Sequence, residues 1–211
     1  ENLLEIPEKA VKIQAETLKA ENTTPDIDEL IRNRTNSNID YIHDLKVVDY
    51  SGIYKTNIRK YLYNLGGVES KFKNKQDQTD HEFINYEVEY IPYKKFLESA
   101  LGKFVNNNFK GTLKDLRIIH NQFPGDQNAS FYSGLCYFNL GKWKKAINSF
   151  DETLQNHINV FDQEAQWYKA LALIKKNDKD EAVTILKEII KNKGFYAQRA
   201  EEILKTQLYE N

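Results

Sequence analysis

From about residue 93 to the C-terminus, apolar side chains return every three to four positions, the spacing of an amphipathic helix. Phe96, Leu97, Ala100, Leu101 and Phe104 fall on one helical face. Asn106-Asn107-Asn108 reads as a tight turn, and Phe109, Leu113, Leu116 and Ile119 continue as an antiparallel partner helix that Pro124-Gly125-Asp126 stops. The next pair is predicted over about 128–140 and 143–154, with Gly141 in the left-handed position between the helices. A third pair follows over 163–175 and 179–191, turning through Asn177-Asp178. A last helix over 196–208 shows Arg199, Glu201, Glu202 and Lys205 to water, as a cap would.

The first 90 residues follow no single period. Val11, Ala15 and Leu18 predict a short amphipathic helix over 7–20. Thr24-Pro25-Asp26 reads as an N-cap with proline at the first helical position, opening a helix through Ile27, Leu30 and Ile31. Residues 35–38 read as a loop and 53–65 as a helix closed by Gly66-Gly67. Residues 71–80 carry Lys, Gln, Asn and Asp with almost nothing apolar, which predicts an exposed or disordered linker. Ile84, Tyr86, Val88 and Tyr90 alternate with polar residues, the mark of a strand or extended arm.

The helical half repeats. Small residues recur at Ala100, Gly134 and Ala170, periods of 34 and 36 residues. Each is followed 12 positions later by Thr112, Ala146 or Ala182 and 16 later by Leu116, Phe150 or Leu186. Such a period means stacked helix pairs, each unable to bury its apolar face alone. With Tyr137, Gly141 and Trp143, the pattern resembles the tetratricopeptide repeat (TPR). The first repeat departs from it, with Lys103 where Tyr137 sits in the second and Thr112 in place of alanine. The resemblance implies an all-α, right-handed superhelix of three repeats, over about 93–126, 127–160 and 163–195, with a capping helix over 196–209. An irregular, mostly helical arm over 1–90 would precede it.

In such repeats the first helix of each pair lines a concave groove, with positions three before, one after and four after the small residue pointing into it. Here these are Leu97, Leu101 and Phe104; Phe131, Leu135 and Phe138; Trp167, Leu171 and Ile174, all apolar. Relatives that clasp a peptide carboxylate carry asparagine where Leu101 and Leu135 stand, so that activity is not expected. Two occupants follow: the chain's own arm, through segments near Leu18, Leu30 or Tyr61, or a helix or strand of a partner protein. The arm is the favoured occupant, having little else to pack against. The phrases 131–141, 164–173 and 193–200 further resemble TPR modules of Bacteroidetes-type bacterial proteins, many of which follow a membrane anchor and face the periplasm.

Composition narrows the function. The formal net charge of −1 over 211 residues argues against a general nucleic-acid or membrane-surface binder. No apolar run approaches the roughly 20 residues that cross a bilayer. The chain has no Met, not even an initiator, and reads as a piece of a longer protein whose anchor would lie upstream. Cys136, the single cysteine, is expected as a small buried residue. His43, His81, His120 and His157 are scattered without metal-ligand spacing. The basic turns at Lys142, Lys144, Lys145, Lys175, Lys176 and Lys179 read as solvated charges. The sequence therefore predicts a non-catalytic protein-interaction scaffold without metal or cofactor. The alternative is an accessory or catalytic piece of an envelope enzyme, with His43, Asp44 and Asp49 as its acid/base candidates.

Overall fold

The structure, a computed structural model, describes residues 39–50, 53–54, 56–63, 86–156 and 158–208. The helices expected over 7–20 and after Thr24, the loop at 35–38 and the linker at 71–80 lie outside the described residues. Among the described residues four strands precede seven helices: β1 (Ile39–Ile42), β2 (Leu45–Val48), β3 (Ile58–Tyr63), β4 (Tyr86–Ile91), then α1 (Tyr93–Val105), α2 (Phe109–Gln122), α3 (Gln127–Asn139), α4 (Trp143–Leu154), α5 (Asp162–Lys176), α6 (Lys179–Lys191) and α7 (Ala197–Ile203). A π-helical turn, Leu204–Leu208, ends the described chain.

Each helix packs on the next, from α1 through α7, which makes a stack of antiparallel pairs. What allows the pairs to close is a small residue at each crossing. At Gly134 an added Cβ would stand 2.5 Å from a Phe150 ring carbon, so only glycine lets α4 approach α3 this closely. Ala100, Ala146, Ala170 and Ala182 are fully buried at the other crossings, and Thr112 tucks its hydroxyl back onto the Asn108 carbonyl at 3.0 Å. All three first helices end alike. Asn107, Gly141 and Asn177 take left-handed φ of 59°, 68° and 68°. The following amides, Asn108, Lys142 and Asp178, reach back to the carbonyls of Lys103, Tyr137 and Leu173. These turns satisfy the last carbonyls of each helix, and they recur at the repeat periods read from the small residues.

The N-terminal half differs from expectation. β1 and β2 form one antiparallel hairpin, pairing Ile39 with Val48 and Ile42 with Leu45, and β3 and β4 form another, pairing Ile58 with Ile91. The strand expected around Tyr86–Tyr90 is present as β4. The helix expected over 53–65 is not: its second half is β3. Local spacing suggested a helix there, but Ile58, Tyr61 and Tyr63 also suit a pleated strand. The deciding interactions are tertiary, since β3 pairs with β4 and rests on α2 with Ile58 fully buried. The described residues of the arm are thus strands and turns, not helices.

Candidate functional site

The structure places eight of the nine groove positions in the core. Leu97, Leu101, Phe104, Phe131, Leu135, Phe138, Trp167 and Leu171 are buried, and Ile174 is half-buried. They do not share one neighbour. Phe131 stacks on Phe161 at 4.3 Å between ring centres, Phe138 meets the edges of Trp143 and Tyr168, and Trp167 stacks on Tyr196 at 5.0 Å.

The β1–β2 hairpin lies against the same three first helices, and β2 is buried along its whole length. His43 and Asp44 are its two loop residues, with φ of 51° and 63°. That is the backbone of a type I′ turn, whose twist suits a two-residue hairpin; Asp and His enter this region more readily than most residues. Both are exposed, and His43 Nε2 donates to the Glu98 carbonyl at 3.1 Å. They turn the hairpin, while Asp49 follows β2 at the end away from that turn.

Outward-facing groups of β2 meet polar side chains of α3. The Val48 amide donates to Asn128 Oδ1 at 2.8 Å, and Asn128 Nδ2 donates back to the Val48 carbonyl at 2.8 Å. One side-chain amide therefore pairs with both backbone groups of a strand residue, as a neighbouring strand would. Asn128 Nδ2 also donates to the Tyr93 hydroxyl at 2.9 Å. Tyr93 in turn donates to Asp126 Oδ2 at 2.8 Å, and Asp126 Oδ1 caps α3 by accepting the Ala129 amide at 2.7 Å. Two residues before Val48, the Lys46 carbonyl accepts from the Tyr132 hydroxyl at 2.5 Å. The Tyr50 hydroxyl accepts from the Gln127 amide, and Tyr50, Tyr54, Tyr93 and Phe123 form an aromatic cluster. The second hairpin repeats the device. Gln122 Oε1 accepts the Arg59 amide and Gln122 Nε2 donates to the Arg59 carbonyl, each at 2.8 Å.

The charged contacts follow the repeat. Lys46 Nζ meets Glu164 Oε1 at 2.5 Å with both side chains buried, and its ammonium lies 5.5 Å over the Phe161 ring. At the rim Lys94 bonds Asp40 at 2.5 Å. Lys94, Asn128 and Glu164 are the same position in three successive repeats, six residues before Ala100, Gly134 and Ala170. Glu98 and Tyr132 share the next turn, two residues before the small residue. The hairpin is thus held through two repeat positions that sequence reasoning passed over in favour of the apolar ones. A polar residue at a position facing the groove in each repeat was the available signal.

Burial sets the titration of this region. Removal from water pushes the Asp126 carboxyl up to about 6, against the pull of its hydrogen bonds from Ala129, Tyr93 and Tyr54. Asp162, at the start of α5, is raised to about 6 by burial and by the charge of Glu164, with Lys46 opposing. Burial likewise raises the Tyr93 hydroxyl and, elsewhere in the stack, the Cys136 thiol, which is the small buried residue expected. Among the described residues no group of three His, Cys, Asp or Glu could hold a metal ion, and no helix is long and apolar enough to cross a membrane.

A tetratricopeptide repeat family model matches residues 128–157 and 164–192, the pairs α3–α4 and α5–α6. No curated protein matches the chain. The α1–α2 pair lies outside the match but shares the turn geometry and packing of the other two. By match and by geometry together, the chain is a helical-repeat protein whose pairs α3–α4 and α5–α6 are similar to the tetratricopeptide repeat.

Proposed function

We propose that this protein is a non-catalytic interaction scaffold whose first-helix groove is a seat for its own β1–β2 hairpin. Tetratricopeptide repeats in general mediate protein–protein contacts, and a protein partner fits this one. The observation that carries the proposal is the pairing of Val48 with Asn128 and of Lys46 with Glu164, one strand engaged by successive repeats. Leu97, Leu101, Phe104, Phe131, Leu135, Phe138, Trp167, Leu171 and Ile174 then act as the apolar bed under the seat. An external partner either displaces the hairpin or binds the composite of hairpin and stack.

Amide hydrogen exchange on the whole chain tests this, comparing wild type with Asn128→Ala. The β2 amides should be protected in the wild type and lose protection in the variant, while α4 and α6 keep theirs. Rapid exchange of β2 in the wild type would show an open groove. The resemblance of 131–141, 164–173 and 193–200 to Bacteroidetes-type modules adds a location, the bacterial cell envelope. Fractionation of a native source checks it, and a purely cytoplasmic pool overturns it.

A further inference from the structure

A second feature lies away from the hairpin seat. Between α2 and α4, over the side of α3, opens a cleft of about 510 Å³. Lys110, Lys114 and Arg117 line one wall, at successive turns of α2; Lys145 and Asn148 line the other, from α4. The floor carries hydroxyls: Ser130 and Ser149 are buried, and Ser133 and Tyr137 half-buried. Glu152 is the single carboxylate among the lining residues, against four fixed cations. Among the described residues none of the four cations has a carboxylate within ion-pair distance, whereas Lys46, Lys94, Lys103 and Lys169 each do. Lys145 Nζ lies 5.6 Å from the centre of the Tyr137 ring, which holds it over the cleft.

Four cations against one carboxylate around a concavity of hydroxyls make the local charge positive in a chain whose net charge is −1. A cleft focuses such a field, and guanidinium, ammonium and hydroxyl donors together suit phosphoryl oxygens. The α2 cations run about 10 Å along the helix at 1.5 Å per residue, longer than one phosphate needs. We propose that this cleft binds a small ligand carrying a chain of phosphoryl groups, whether an inorganic polyphosphate or a nucleoside polyphosphate. Lys110, Lys114, Arg117 and Lys145 hold its charge, and Ser133 and Tyr137 donate from the floor.

Calorimetric titration of the full chain with inorganic tripolyphosphate tests the proposal, at low and at physiological salt. Binding should weaken with salt and fall about tenfold or more in an Arg117→Gln/Lys145→Gln variant, as loss of two charge-assisted contacts implies. Lys142→Gln/Lys144→Gln removes the same charge outside the cleft lining and should change affinity less than about twofold, since exposed charges at a distance are screened. Thermal unfolding of both variants confirms that they fold. A parallel ATP titration separates the sources: equal affinity means the phosphoryl chain alone is held, and tighter ATP binding means a nucleotide. The proposal is overturned if tripolyphosphate does not bind at millimolar concentration, if the control pair weakens it as much as the cleft pair, or if an oligonucleotide binds while tripolyphosphate does not.

Discussion

The helical stack and the docked hairpin are built by opposite means. Within the stack, contacts join residues close in sequence: α3 meets α4 across one turn, and Gly134 and Phe150 fit by shape alone. The hairpin is joined across distance and by polarity, Val48 to Asn128 over 80 residues, Tyr132 to Lys46 over 86 and Lys46 to Glu164 over 118. Closing such loops costs entropy before any bond forms, so the stack is expected to form first and the hairpin to dock on it. Apolar packing tolerates many partners of similar volume. A buried ammonium, carboxylate and carboxamide accept only a strand in one register.

The largest expected effect breaks the stack. Phe150→Ala removes a fully buried ring from the α3–α4 crossing and should cost about 3–5 kcal/mol in urea unfolding, with loss of helix by circular dichroism. A loss under 1 kcal/mol would mean the crossing is loosely packed. Glu164→Gln attacks the hairpin instead, leaving the Lys46 ammonium buried without its counter-charge. A cost of about 3 kcal/mol is expected, borne by the hairpin: β2 amides should lose protection from exchange while α4 keeps its own. Equal loss in both regions would show that the two halves form a single cooperative unit.

The pH dependence comes next. Asp126 binds its proton more tightly folded, to about 6, than its ordinary 3.8, so the folded state carries the extra proton in that interval. Lowering pH from about 7 to 5 should therefore raise stability, by about 1.3 kcal/mol from this group, and Asp162 acts in the same direction. Asp126→Asn keeps an N-cap and should flatten the profile. A stability that falls steadily from pH 7 to 5 would place the controlling groups elsewhere. The smallest effect lies in the turns. Asn177→Gly relieves a side chain at positive φ and should stabilise by about 0.5–1 kcal/mol in thermal unfolding, while Gly141→Ala does the reverse.

The same contrast explains what could be read from the amino acids. Helix period, small crossing residues and left-handed turns are local facts, and all three helix pairs stand within a residue or so of their expected limits. The hairpin left a fainter trace. Its turn lacks the usual glycine, using His43-Asp44, and Leu45-Lys46-Val47-Val48 is too short to declare a strand. Asn128 and Glu164 sit in the first turns of predicted helices, where polar residues are ordinary. Nothing near either names a partner 80 or 118 positions away. The segment 53–65 misled for the same reason: what makes β3 a strand is β4.

Asn128 and Gln122 also decide where β-structure stops. A strand edge offers a row of donors and acceptors, and any added strand leaves a fresh row on its far side, so growth has no natural end. Here each carboxamide turns its oxygen and one N–H to the strand, and its second N–H goes to Tyr93 or Ile118 instead. It saturates a single residue, Val48 or Arg59, and beyond it lies a helix instead of another edge. Losing either amide would reopen a site of propagation, and self-association of the chain would then compete with folding.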